Sequence, residues 1–286
     1  MLTRLPRRWA LPWGRVLWQT VNMAAQHSCG EVAAAVAFDF VFAVFPGLLM
    51  LTSLLAVLGV SPDSLTIALS GIGVVVPGPV LQILEENAQH VWGSSHGLIV
   101  LGLVGVLWPA SASMVTTMGA LNRAYGVVEQ RSFWRRRILS IALLMAFGLA
   151  LVVIFNSLVF SRQVEGWLRL HWAFQQDFPS LSGMLRGAVV VLGTLGVVAS
   201  VYRTVPAVRP RWVDVVPGSL VFLVLWLLVT SGFRYYVEHF GYYSLVYGVL
   251  GAVIVTLLSA YLMAFILLLG GELNAAIARA RSAGGR

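Results

Sequence analysis

Asp39 is the only charged residue in an apolar run that extends from about Val32 to Val60. A carboxylate set several residues inside such a run is costly unless it is protonated, paired or turned to water. Its natural chemistry there is to take up and release a proton or cation, and Pro46, seven residues on, can kink the helix and open room beside it. The alternative is that Asp39 lies close enough to the membrane surface to pair with an arginine for packing alone. Two further ionisable residues, Arg123 and Glu272, end apolar runs on the same expected side, with Asn122 and Asn274 beside them. A pairing between them would stitch the inner rim of a bundle, and gating or contact with a substrate headgroup is the functional alternative. Arg186 and Arg234 stand just inside the other ends of their runs, where a long arginine can snorkel to the headgroups or meet a phosphate or carboxylate. Pro109 and Pro217 break two more apolar runs. Together with Pro46 they are where a cavity is expected, because membrane bundles tolerate irregular backbone where it lines one.

Catalytic patterns are missing from the sequence. His27, His90, His96, His171 and His239 are scattered, with no pair at metal-ligand spacing, and neither a phosphate-binding glycine loop nor a nucleophile elbow is present. Cys29 is the single cysteine, so neither an intrachain disulfide nor a thiolate metal cluster can form. An ATP-driven pump and a metallohydrolase are both disfavoured, and no cofactor is expected.

The elements that must carry these residues are set by composition. The chain has 286 residues, 59% hydrophobic and only 10% charged, whereas about a quarter of a soluble domain is charged. The run from Val246 to Leu269 has no ionisable side chain except two tyrosines and exceeds the roughly 20 residues that cross a bilayer as a helix. Gly248, Gly251, Thr256 and Ser259 give it a small-residue face for close helix packing. The expected fold is an all-α integral membrane protein, a bundle of six transmembrane helices at about 32–60, 97–118, 138–160, 183–202, 213–236 and 246–269, with amphipathic interfacial segments. Residues 1–31 form a basic segment whose Trp9, Trp13, Trp18 and interleaved apolar residues suit a helix lying in the headgroup layer, or else a loose tail. Residues 32–274 form the membrane domain and 275–286 a basic tail. Residues 61–96, which carry no arginine, read as an interfacial or re-entrant element.

All 19 basic residues are arginine, and 15 of them fall in the segments that six spans would place on one side. Cytoplasmic loops hold such an excess, so both termini are expected inside. The charge therefore reads as topology, with membrane lipids and their anionic headgroups as partners, no nucleic acid, and a homo-oligomer allowed.

Several stretches in order resemble the YihY/BrkB family of bacterial inner-membrane proteins, once labelled ribonuclease BN. They are Ala33 to Phe38 leading to Phe45-Pro46, Trp108 followed by small residues, Leu121-Asn122-Arg123-Ala124-Tyr125-Gly126, and Phe133-Trp134-Arg135-Arg136. Pro217-Gly218, Tyr243 through Tyr247-Gly248, and Gly270-Gly271-Glu272-Leu273-Asn274 complete the series. The sequence departs from the family pattern at Asp39 and Pro109. The resemblance implies a six-helix, multi-pass protein of the bacterial inner membrane, and members look like transporters linked to lipid movement. The leading expectation is thus a transporter or flippase-like protein for lipids or other amphiphiles, not ATP-driven and not an enzyme. The alternative is a non-transporting protein that organises the envelope, and a membrane-tethered ribonuclease comes third because no metal-ligand cluster supports it.

Overall fold

The structure, a computed structural model, describes residues 13–57, 96–150, 179–240 and 243–283, and these contain seven helices and no strand. They are α1 (Trp13–Gln26), α2 (Cys29–Val57), α3 (His96–Ala124), α4 (133–150), α5 (Pro179–Thr204), α6 (Trp212–Phe240) and α7 (Tyr243–Ala283). Five of them, α2, α3, α5, α6 and α7, are long and apolar enough to cross a membrane. The sixth expected span, 138–160, begins within α4, and its second half lies outside the described residues, as does the element expected over 61–95. Phe38, Phe42, Leu101, Leu192 and Leu228 are exposed along these helices. That is the arrangement of side chains meeting lipid tails, since a soluble surface rarely shows so much contiguous apolar area.

Helices α2 and α3 form a tight antiparallel pair. A Cβ on Gly105 would strike the ring of Pro46, and one on Gly102 would strike Met50. Glycine lets the backbones approach closely where no hydrophobic force drives helices together. Pro46 therefore marks a close crossing rather than the cavity expected there. Pro109, buried in α3, removes a ladder bond. Two residues later the Ser111 hydroxyl donates to Leu107 O at 2.5 Å and Trp108 O at 2.9 Å, carbonyls of the turn that holds the proline.

α1 is a separate helix with two apolar faces. Val16, Thr20 and Ala24, spaced four apart, are buried, and Val16 packs on Leu273, Ala276 and Ile277 of α7. Trp13, Leu17, Trp18 and Val21 are exposed on its other side, as an interfacial helix would have them. α7 does not stop where the apolar run ends. It continues through Gly270 and Gly271 to Ala283, so the expected tail is helical to that point, with Ala275, Ala276 and Ile277 almost fully buried. Its alanine-rich sequence favours helix, and α1 covers its apolar face. Arg279 then donates to Ala124 O at the end of α3, 3.0 Å away. Arg281 pairs with Asp214 in the first turn of α6, where a carboxylate is favoured by the helix dipole.

Candidate functional site

The C-terminal ends of α3 and α5, the start of α6 and the last third of α7 meet at one end of the bundle, and most of the singled-out residues gather there. α6 and α7 cross where Gly218 faces Gly270. A Cβ on Gly218 would overlap Gly270 O and the Asn274 amide, and a Cβ on Gly270 would overlap the Tyr202 hydroxyl. Asn274, fully buried, spends its amide on α6 next to Pro217. Gly218 N–H donates to Asn274 Oδ1 at 2.7 Å, and Asn274 Nδ2 donates to Val215 O at 3.2 Å. Asn274 thus ties α7 to the backbone of α6 on both sides of Pro217. Tyr202 on α5, also fully buried, donates its hydroxyl to Leu267 O at 2.7 Å.

Two residues before Asn274 on α7, the buried Glu272 points at the turn between α1 and α2. Ser28 in that turn has a φ of 50°, and its carbonyl accepts from Val32 N–H in the first turn of α2. A non-glycine residue in the left-handed region is held there by its surroundings. This turn brings His27 Nδ1 to 2.5 Å from Glu272 Oε1, with Cys29 Sγ 3.9 Å from the same oxygen. The other oxygen, Oε2, is buried without a hydrogen-bond partner among the described residues. The carboxylate expected to meet Arg123 thus meets His27 of α1 instead, while Arg123 is exposed.

Asn122, 2% exposed, ties two loops together. α3 ends just after it in a turn that needs Gly126, whose φ is 68°. Gly126 N–H donates to Arg123 O and Val127 N–H to Asn122 O, both at 2.9 Å, the pairing of a Schellman cap. The Asn122 side chain accepts from Ala207 N–H at 2.7 Å and donates to Glu129 Oε2 at 2.7 Å. Nearby, the buried Tyr125 hydroxyl has no partner among the described residues. Burial, and then the Asp214 carboxylate, push its phenol well above the ordinary value, so it stays protonated. Replacing Asn122 by alanine would strand two polar groups and cost about 2 kcal/mol. We expect faster hydrogen exchange at the Ala207 amide in that variant, and unchanged exchange would contradict the tie.

Asp39 lies deeper on α2, half-buried, and makes no hydrogen bond or ion pair among the described residues. The opposing charge acting on it is Arg137 at the start of α4. Arg137 is 9% exposed, donates to Trp108 O at 2.7 Å and lies 4.3 Å over the Trp108 ring. Arg186 and Arg234 fall on α5 and α6 towards the opposite end of the bundle, and their side chains lie outside the described residues. Sequence reasoning missed His27 as the partner of Glu272, and 245 positions separate the two. Among the described residues, no three His, Cys, Asp or Glu side chains cluster so as to hold a metal ion.

This helical architecture, apolar on its outside and polar at one end, is that of a multi-pass membrane protein. The family model described as virulence factor BrkB matches residues 20–286, and the chain belongs to that family. The ribonuclease-like protein YfkH of Bacillus subtilis is 31% identical over 87% of this chain and 90% of its own length. The UPF0761 membrane protein RSc1559 of Ralstonia nicotianae is 28% identical over 96% of this chain and 62% of its own. A UPF0761 membrane protein of Tolumonas auensis is 29% identical over 68% of this chain and 60% of its own. The chain thus spans under two thirds of the length of the last two relatives. No solved structure matches.

Proposed function

We propose that the protein is a transporter for lipids or other amphiphiles in the bacterial inner membrane, coupled to no nucleotide, with its arginine-rich end in the cytoplasm. The observation that carries this reading is Glu272, 1% exposed, with His27 on one oxygen and, among the described residues, nothing on the other. A carboxylate kept only to stitch helices would have both oxygens bonded, because an unsatisfied buried oxygen is costly. An ionisable group retained inside a membrane bundle is a candidate for proton or ion handling. Asp39, with Arg137 as its opposing charge, is the second such group.

The test is movement of fluorescent phospholipid between leaflets of proteoliposomes, with and without a pH gradient. Wild-type protein should accelerate movement over empty vesicles, and Glu272→Gln should remove most of that acceleration while staying folded. Asp39→Asn should remove the response to the gradient. A folded wild-type protein that moves no lipid would sink the reading and leave the envelope-organising role, for which the exposed tryptophans of α1 are the natural contact.

A further inference from the structure

We propose that a groove beside Asn122 binds the phosphate headgroup of an anionic membrane lipid. The groove encloses about 1350 Å³ between the loop after α3, the first turns of α4 and the loop after α5. Arg131, Arg135, Arg203 and Arg209 line it, together with Leu139 and Leu143. The inference goes beyond the transport reading and stands without it, because a lipid can be held here whether or not it is moved.

Arginines at a membrane surface are explained by topology alone when they are loose. These belong to a built frame. Asn122 joins the groove's two loop walls through Ala207 and Glu129. Glu129, the one carboxylate among the described lining residues, is fully engaged. Its Oε2 accepts from Asn122, and its Oε1 accepts from Arg131 N–H and pairs with Arg131 Nε, each at 3.1 Å. It therefore offsets Arg131, and among the described residues no carboxylate pairs with the other three arginines. Arg203 is held in place by a 2.7 Å bond from Nη1 to Pro210 O, with its guanidinium 4.7 Å from the Trp212 ring centre. Its remaining N–H groups bond nothing among the described residues and can meet an anion. Arg135 and Arg209 are exposed and bond nothing among the described residues. Several arginine forks around one opening are the arrangement that recognises phosphate.

The apolar lining says which phosphate. Arg135, Leu139 and Leu143 follow one another at four-residue spacing, so they share one face of α4. From the arginine to the second leucine that stripe descends about 12 Å along the helix. A headgroup at Arg135 thus sets an acyl chain against the leucines, whereas a free phosphate would gain nothing from them.

The experiment titrates purified protein in an uncharged detergent with dioctanoyl phosphatidic acid, dioctanoyl phosphatidylcholine and inorganic phosphate, by native mass spectrometry and calorimetry. We expect saturable binding of one phosphatidic acid, and at least about tenfold weaker binding of the other two probes. The double variant Arg135→Gln/Arg209→Gln should weaken phosphatidic acid at least about tenfold, because it removes charge-assisted bonds to the anion. Both arginines are exposed and unbonded to described residues, so the variant should keep its fold, which circular dichroism checks. Arg15→Gln/Arg211→Gln, an equal loss of charge at exposed residues that do not line the groove, should bind like the parent. Equal weakening in that control, equal affinity for inorganic phosphate, or no saturable binding by folded protein would each overturn the site. Protein that binds phosphatidic acid yet moves no lipid would support the site and sink the transport reading. Protein that moves lipid yet binds no phosphatidic acid would overturn the site alone.

Discussion

Gly218→Val should leave little folded protein to recover, and Gly218→Ala should lower the unfolding temperature in detergent clearly. At this crossing the added carbon meets a backbone carbonyl, Gly270 O, and the amide of Asn274. Neither can step aside. The carbonyl belongs to α7, and the amide is bonded at both ends, to Gly218 N–H and Val215 O. Overpacking costs typically 1–3 kcal/mol, and about 3 kcal/mol or more is expected where rigid atoms are struck. Separating α6 from α7 to make room would also cost the two Asn274 bonds, so the effects compound. Gly148→Ala on α4 is the matched control, since a Cβ there meets nothing within 4 Å and alanine favours helix. If Gly218→Ala melts like Gly148→Ala, the α6–α7 crossing is looser than described.

Much of this was legible in the sequence. An apolar run with almost no charge, such as 246–269, allows only a spanning helix. Its end was harder to read, because Arg279 and Arg281 look like a solvated tail. Their partners, Ala124 O and Asp214, come from α3 and α6, elements far away along the chain. The prolines were legible as breaks but not as contacts. Pro46 reads as an opening until Gly105, 59 positions on, is seen to fill it.

The polar end was legible in parts. Asn122, Pro217, Glu272 and Asn274 stood out by type, as polar or helix-breaking residues at the limits of apolar runs. What a single sequence does not carry is pairing. Asn274 reaches to Gly218, Asn122 to Ala207, and Glu272 to a histidine that shows no local pattern. The groove was hidden for a different reason. Each of its arginines is accounted for by the charge bias of membrane loops, and only their convergence around Glu129 and the α4 leucine stripe separates a site from a topology signal.

The pair between α1 and α7 gives the second large effect. His27→Ala should destabilise the protein more than Glu272→Gln does, and combining the two should cost less than the sum. With His27 gone, a carboxylate 1% exposed keeps, among the described residues, only the sulfur of Cys29, 3.9 Å away. Stranding a buried carboxylate by removing its partner costs about 3–5 kcal/mol where the group stays ionised. The lower end is expected here, because His27 is 21% exposed and water can approach from its side. Glu272→Gln keeps the shape and a hydrogen bond to the ring while removing the charge, so about 1 kcal/mol is expected. In the double variant no charge is left to strand, and the His27→Ala penalty should shrink. The check is a double-mutant cycle on unfolding free energy, in which residues acting independently would add to within about 0.5 kcal/mol. Additivity would mean that Glu272 finds another partner when His27 is gone. The same variants separate folding from transport. If the double variant is as stable as Glu272→Gln and moves no lipid, the charge of Glu272 serves the transport cycle, because its structural cost will already have been relieved.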